Sequence, residues 1–596
     1  MSKKGAIVKE LPAVETLSCV DVICTDKTGT LTTGKMTVTN IQTLREEFQI
    51  TGVNTNGKFL YNGKKINPLT NKALTKILHI SLLCNNCTHE NNKNILELNG
   101  DPTEKALYIM ALKAGLTKDV INKYPLEKVF SFDSEKKRMT VICKNKDKFL
   151  VCCKGAPEKI LNRTSRIIDY NKIRSISPQD KKAIKRKIKS MSNSALRVIA
   201  FSYKEINTYQ GCNVEENLIF AGLTGIMDPP RKNINQALEK CQKAGIKTIM
   251  ITGDHKNTAT AIGKKINLIN KKNDLVLTGE KLDNLSQKEL LKIINRVKVY
   301  ARTSPEQKLR IVNALKEKGH MVAMTGDGIN DSPAIKKSDI GISMGKNGTE
   351  VTRQSSNIIL VDDNFTTIVK AVEEGRGISN NVKKFMRYVL AGNIAEVITI
   401  FLSSLFRLPV PLIPAQILMI NLVTEGIPAL SLGVNPANEK NMSEKPRNAN
   451  QSILNKKLLK KIFSRGIIMG SSSLALYSGT YFLTGNINRA RTLTYTNLVV
   501  SQLFHVFDCK GNLKNKNKYI YPSVSISSIL LLFSIYGPFN SLFRTTPLQL
   551  IDWLLILGLS FLNGRFDLLK KHLPATERNS NKVIDITPQK NYPTKY

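Results

Sequence analysis

From residue 388 the chain changes character, with apolar stretches at 388–406, 412–434, 462–483, 492–508, 519–537 and 547–563 following one another. No other feature constrains the fold as strongly. A segment in hydrocarbon must satisfy each backbone N–H and C=O internally, and a single helix can do so. Each stretch is close to the roughly 20 residues that a crossing helix needs, although the third and fourth are only weakly hydrophobic. Loop charge supports all six. With residue 385 in the cytoplasm, loops 435–461 and 509–518 carry seven and four Lys or Arg, while the outer loops hold Arg407, Arg489, Arg491 and Arg544. Cytoplasmic loops carry that excess in membrane proteins, so the tail 566–596 is expected back in the cytoplasm. The reading is an all-α six-span domain over 386–565, in a multi-pass protein of the cell membrane.

Two of these spans hold groups that lipid does not tolerate. In "AGNIAEVITIF" Asn393 and Glu396 are three residues apart and share a helical face. In "NLVTEGIPAL" Asn421, Thr424 and Glu425 share another, and Pro428 weakens the helix just beyond. A carboxylate at membrane depth costs about 2.5–3.5 kcal/mol on the mildest scale, and ionisable groups retained there have a function by default. Together these oxygens suit a hard cation such as Ca²⁺. Gln502, in "VVSQLFHVF", offers one more neutral oxygen. The bland alternative is a hydrogen-bond network between helices without an ion.

Residues 1 to about 385 read instead as globular protein. "MSKKGAIVKELP" has no apolar core before its proline, so no signal peptide is expected and the chemistry should be cytoplasmic. Four apolar runs end in acidic or hydroxyl-bearing turns: "VDVICTD", "IKTIMITGD", "MVAMTGDGIND" and "NIILVDD". Between them "INQALEKCQKAG" and "PEQKLRIVNALKEKG" have helical periodicity. Strands alternating with helices predict a doubly wound α/β sheet, and ligands bind beyond the carboxyl ends of such strands. The turns at Asp26, Asp254 and Asp327 therefore converge, and region 36–225 must be an α+β domain inserted between parts 1–35 and 226–385.

This convergence can do chemistry that one turn cannot. Asp26 can accept a phosphoryl group if Mg²⁺, held by Asp26 and Asp327, screens the oxygens. Lys308 in "RTSPEQKLRIV" can balance growing charge, and Thr28 with the Thr252-Gly253-Asp254 turn can donate to phosphoryl oxygens. Asn330 and Asp331 would orient neighbours and the metal's waters. In the inserted region, Phe132 could stack on adenine and Lys154 could face phosphate; each could equally be an ordinary core or surface residue.

The formal net charge of +42 raises nucleic acid as a partner. The lysines are dispersed, no basic stripe interleaves with aromatics, and a Lys-rich surface with basic loops accounts for the charge. The ten cysteines form no disulfide framework; Cys84-x-x-Cys87 with His89 is half a metal site without a second half.

Together these residues resemble the P-type cation-transporting ATPases. "DKTGTLT" (26–32), with Lys27 inside it, matches the phosphorylation motif; "TGD" (252–254) and "TGDGINDSPA" (325–334) match its partners, and "DPPR" (228–231) the hinge to the inserted domain. The resemblance covers nearly the whole chain and implies a haloacid-dehalogenase-like phosphorylation domain, an inserted nucleotide-binding domain, ATP and Mg²⁺. "FDSEKKRM" and "KGAPE" point to the calcium-pump branch. By that resemblance Glu104, Phe132, Lys154 and Arg197 fall at nucleotide-contacting positions. Asp228 and Arg231 join them from the hinge. Asn393, Glu396, Asn421, Thr424 and Glu425 fall in the site of the transported cation, with Gln502 where some relatives carry Glu.

There are departures. Sarcoplasmic-type calcium pumps have Asp where this chain has Glu425, which leaves Mn²⁺ or Na⁺ open beside Ca²⁺. The resemblance also implies an actuator domain with a "TGES" loop and four earlier spans. The sequence begins at "MSKKGAIVKELPAVETLSC", similar to the end of the fourth span's stalk, and its one "TGE" (Thr278–Glu280) lies in the phosphorylation domain. The expectation is the C-terminal two-thirds of a pump, the remainder being a partner polypeptide or an unread part of the gene. A membrane-tethered phosphotransferase or ATP-binding regulator is the alternative.

Overall fold

The computed structural model describes residues 1–92, 95–210, 213–436, 439–448, 452–510 and 517–572. The side chain of His89 and the tail beyond residue 572 lie outside them. The chain divides into two compact units, Met1–Arg376 with Glu439–Ala449, and Gly377–Asn438 with Asn450–Tyr596.

In the first unit an eight-stranded sheet runs in the order Ala6–Val8, Ile358–Leu360, Ile340–Met344, Val322–Gly326, Val22–Asp26, Lys247–Thr252, Val297–Ala301, Leu275–Thr278. All neighbours pair in parallel except the edge strand Ala6–Val8, which runs antiparallel to Ile358–Leu360. The four acid-ended runs are all strands of this sheet. Val22 and Cys24 enter one apolar cluster and Ile23 another, so helices cover both faces and the strands read as unbroken hydrophobic runs. The helix Pro305–Glu317 starts where it does because Ser304 and Gln307 form a reciprocal cap and Pro305 occupies the first turn. It buries Ile311, Val312 and Leu315 against Val22, Cys24 and Met324. Each such aliphatic side chain contributes about 1.5–3 kcal/mol, enough to fix the register of Lys308 one turn earlier.

Val22–Asp26 lies between the Val322–Gly326 and Lys247–Thr252 strands, and the later strands of the sheet divide to its two sides, 247–301 on one and 322–360 on the other. That is a topological switch point, where the carboxyl ends of the strands leave a crevice.

A second, mostly antiparallel sheet of eleven strands occupies the insertion, with the Lys64–Ile66 and Leu126–Asp133 strands ending its main path. Thr37–Gln42 pairs with Leu218–Met227, so entry and exit of the insertion are hydrogen-bonded to each other. Helices Lys72–Leu83 and Pro102–Lys113 pack on it through Leu74, Ile77, Leu107 and Met110.

The second unit is helical. Two helices, Phe365–Leu405 and Pro414–Gly433, are long and apolar enough to cross a membrane, while Ile520–Tyr536 and Leu550–Asn563 are shorter apolar helices. Lys456–Thr484 (29 residues) and Ile487–Lys510 (24 residues) have the length but interleave Ser, Thr and Arg with apolar positions. Within Pro414–Gly433 the turn Met419–Thr424 is widened, and the Glu425 N–H reaches back to the Ile420 carbonyl at 2.8 Å. The irregularity thus precedes Pro428, because a proline ring crowds the carbonyl four residues before it, here Thr424.

Candidate functional site

Asp26 ends its strand with extended backbone, and the chain then turns through Gly29 at φ +73°, a left-handed conformation that a side chain would strain. Its amide donates to Thr325 Oγ1 at 3.3 Å. One carboxylate oxygen, Oδ2, takes a 2.9 Å bond from Lys308 Nζ, whose ammonium also binds Asp331 Oδ1 at 2.6 Å. The other, Oδ1, receives only the Thr28 N–H at 3.3 Å. Burial alone would pull the Lys308 ammonium down, but Asp26 and Asp331 outweigh it and hold it above the ordinary lysine range. Lys308 is therefore a fixed positive charge between two carboxylates.

Asp26, Asp327 and Asp331 each offer an oxygen within 4.8 Å of the others. Asp331 is saturated, because Oδ2 accepts the Asp327 and Gly328 N–H groups. Burial, then Asp26 and Asp331, raise the Asp327 carboxyl above its usual range. Hard oxygens with uncompensated repulsion fit Mg²⁺, and Asp26 and Asp327 are the two with oxygens to spare.

Other residues singled out in the sequence frame this centre. Lys27 pairs with Asp254 Oδ2 at 2.5 Å, and Thr252 Oγ1 accepts the Asp254 N–H at 3.2 Å, which shapes the 252–254 turn. Gly253 has open space where a Cβ would stand, and Asn330 is exposed beside Asp331. Asp228 and Arg231 have their polar atoms committed to the loop after Asp26. Asp228 accepts from Thr32 Oγ1 (2.5 Å), Thr33 Oγ1 (3.1 Å) and Gly34 N–H (2.9 Å). Arg231 donates to the Thr32 and Gly29 carbonyls at 3.1 and 2.6 Å.

A cleft of about 460 Å³ joins Lys27, Thr28 and Asp254 to Pro102, Arg197 and Asp228. Near it, Arg197 donates to Thr103 Oγ1 at 2.9 Å, and Lys154 is buried on Glu104 Oε1 at 2.7 Å. Phe132 is 58% exposed. Strand registers set Met139 opposite Lys154 and Arg138 opposite Asp133, which puts Phe132 two strands from Lys154, about 10 Å away.

In the second unit, Asn421 Nδ2 donates to Glu396 Oε2 at 3.0 Å, and a groove of about 690 Å³ is lined by Asn393, Glu396, Asn421 and Glu425. Gln502 and Glu425 meet over Gly392, where an added Cβ would lie 2.6 Å from Gln502 Nε2 and 2.7 Å from Glu425 Oε1. Glu396 Oε1, Glu425 Oε1 and both polar atoms of Gln502 are buried without a hydrogen bond. Such orphans are expensive, and a cation would satisfy the oxygens. Thr424 stands apart, since its hydroxyl donates to the Ile420 carbonyl of its own helix at 3.2 Å.

Two supports went unread in the sequence. Thr325, which the sequence marks only as the first residue of "TGDGINDSPA", accepts the Asp26 N–H on its hydroxyl. Asp363 gathers the Gly345, Lys346 and Asn347 N–H groups, and its only signal was its place in the "VDD" turn.

Three family models match, the first two overlapping: "P-type ATPase, cytoplasmic domain N" over 73–233, "haloacid dehalogenase-like hydrolase" over 163–339, and "Cation transporting ATPase, C-terminus" over 409–572. The chain is 42% identical over 576 residues to the "Calcium-transporting ATPase" of Bacillus subtilis, covering 94% of this chain and 64% of that protein. It is 37% identical over 547 residues to "Calcium-transporting ATPase 1" of Lactococcus lactis (90% and 60%). Against the human "Calcium-transporting ATPase type 2C member 1" it is 36% identical over 578 residues (94% and 61%). The chain thus spans somewhat less than two-thirds of the length of these relatives.

Proposed function

Since the chain belongs to the P-type cation-transporting ATPase family, we propose that it carries the phosphorylation, nucleotide-binding and C-terminal membrane parts of a pump that moves Ca²⁺ at the expense of ATP. The observation that carries this reading is the Asp26–Lys308–Asp331 bridge at the switch point of the sheet. It leaves Asp26 Oδ1 as the one lightly held oxygen.

In this reading residues 1–35 and 226–385 form the phosphorylation domain, 36–225 the nucleotide-binding domain, 386–565 six membrane helices and 566–596 a cytoplasmic tail, in the cell membrane. ATP lies along the cleft with its adenine toward Phe132. Glu104, Lys154 and Arg197 frame the nucleotide, and Asp228 and Arg231 set the loop on which the acceptor turns. Asp26 Oδ1 attacks the terminal phosphorus; the P–O bond to ADP breaks and its electron pair leaves with ADP. Lys308 holds Asp26 in orientation, while Thr28, Thr252 and Gly253 lie at the rim from which donors meet the phosphoryl oxygens. Lys27 and Asp254 fix that rim, and Asn330 and Asp331 position Asp327. Mg²⁺, held by Asp26, Asp327 and Thr28, supplies charge screening of the phosphoryl group.

The cargo cation takes Glu396, Glu425, Gln502, Asn393 and Asn421 as oxygen ligands, while Thr424, bonded within its own helix, braces the turn beside them. The groove beside them exposes Val397, Leu422 and Leu430 at 65–70%, which supports further membrane helices packing there from this or a separate polypeptide.

Membranes holding the chain, incubated with γ-³²P-ATP and quenched in acid, test the reading. The expected result is label that disappears in Asp26→Asn, depends on Ca²⁺, and loses that dependence in Glu396→Gln. Labelling of Asp26 indifferent to both Ca²⁺ and Glu396→Gln would instead favour a tethered phosphotransferase.

A further inference from the structure

The eight-stranded sheet has a second crevice at its other end. Lys247 opens the strand that finishes at Thr252, so it stands about 17 Å from the 252–254 turn, at the amino-terminal edge of the sheet. There a cavity of about 680 Å³ is lined by Lys247, Lys271, Arg296 and Lys298. Adjacent parallel strands supply Lys247 and Lys298, which are both half-buried and near enough to repel. Burial first, and Lys298 second, bring the Lys247 ammonium down to about 8.

Among the described residues no carboxylate makes an ion pair with either lysine, although Asp274, on the cavity wall, attracts both at longer range. Glu239, on the cavity wall, pairs with Lys243 at 2.7 Å. Asp274 Oδ2 accepts the N–H groups of Asn270 and Lys271. Asp21 is taken by His320 and by the Met321 N–H. Among the described residues Lys247 Nζ donates only to the Ile294 carbonyl, at 2.7 Å, and the Lys298 ammonium makes no hydrogen bond or ion pair. Two lysines sunk side by side with no carboxylate in ion-pair contact are costly, and a bound anion would complete them. A surface lysine run does not explain them, because exposed lysines separate into water.

We infer that this cavity binds a soluble phosphate monoester, with Lys247, Lys298 and the Arg296 fork on the phosphate. The volume is far larger than a phosphate ion and lies in the usual range for a small organic ligand. Asn267, Asn270, Asn273 and Asn295 line the remainder, and their side-chain amides both donate and accept, which suits the hydroxyls of a sugar. No assigned role of the Asp26 crevice uses any of these residues, so the inference stands apart from the transport reading.

Site-resolved lysine labelling of the full chain in detergent tests it, with EDTA present to silence the Asp26 centre. Glucose 6-phosphate at ten times its dissociation constant should slow labelling of Lys247 and Lys298 about tenfold. Glucose should do nothing, and Lys308 and exposed lysines such as Lys318 should be unaffected. Lys298→Gln and, separately, Arg296→Gln should each reduce the protection of Lys247 to less than about twofold at the same concentration. Arg296 is exposed, so its replacement leaves the fold intact even if Lys298→Gln disturbs it. Equal slowing at all lysines would reduce the effect to ionic screening and overturn the site, as would protection by glucose or protection that survives both substitutions. Protection by phosphatidylglycerol vesicles but not by the ester would assign the cavity to a lipid headgroup and overturn the soluble ligand.

Discussion

Replacing Lys308 by Gln tests the electrostatic argument directly. Its ammonium bonds Asp26 and Asp331, and with Asp327 nearby it is the counter-charge of three carboxylates whose oxygens lie within 4.8 Å of one another. At that separation and an effective dielectric of about 20, each carboxylate pair repels by roughly 3.5 kcal/mol. Removing the cation from such a buried pair costs about 3–5 kcal/mol. The variant should therefore open locally about a hundredfold or more faster, read by hydrogen exchange of amides in Val22–Asp26 and Pro305–Glu317 without Mg²⁺ at pH 8. The sign with pH follows. Burial first, then repulsion from Asp26 and Asp331, already raise the Asp327 carboxyl above its usual range, and loss of the Lys308 charge adds to that rise. The protonated folded form is then favoured, so the variant should recover as pH falls through the raised values and weaken as pH rises through them. Mg²⁺ should restore protection at pH 8. An equal loss at pH 8 and pH 5.5, unmoved by Mg²⁺, would refute the charge argument and leave Lys308 as packing.

Other outcomes can be stated with their checks. Gly29→Ala forces a side chain into φ +73° and should cost about 1 kcal/mol or more, with a larger fall in acyl-phosphate labelling than in ATP binding. Asp228→Ala strips the acceptor from Thr32, Thr33 and Gly34; proteolysis after Lys27 or Lys35 should accelerate about tenfold or more, while the second unit keeps its protection. Lys154→Met leaves the part-buried Glu104 carboxylate without its cation, and nucleotide affinity by equilibrium dialysis should fall about tenfold or more, with Lys154→Arg recovering part of it. Burial would raise the Glu215 carboxyl, but Arg138 and Thr140 outweigh it and hold it below its usual range. The inserted domain should keep that stability above pH 5 and lose it as acid titration passes the lowered value, followed by circular dichroism of wild type against Glu215→Gln. Burial pushes the Cys24 thiol up to about 12, so iodoacetamide at pH 8 should leave Cys24 unmodified until urea unfolds the sheet.

Much of this was legible in the chain itself. Apolar runs ending in "CTD", "ITGD" and "MTGD" determined the parallel sheet and placed Asp26, Asp254 and Asp327 at one edge, because a doubly wound sheet brings all its strand ends together. The periodicity of "PEQKLRIVNALKEKG" put Lys308 one turn into a helix, and intramembrane Glu396 and Glu425 marked the polar cluster by cost alone. What a linear pattern does not contain is which partner each polar atom takes. Only the tertiary structure decided that Asp228 and Arg231 clasp the loop 29–34 and that Thr424 bonds its own helix. It alone left Gln502 and Glu425 orphaned over Gly392 and gathered Lys247 and Lys298 on one cavity wall. The physical reason is range. Strand, helix and burial follow from periodicity and side-chain type within about ten residues, whereas a hydrogen bond or ion pair such as Lys308–Asp26 is settled within about 3 Å by segments that lie hundreds of residues apart.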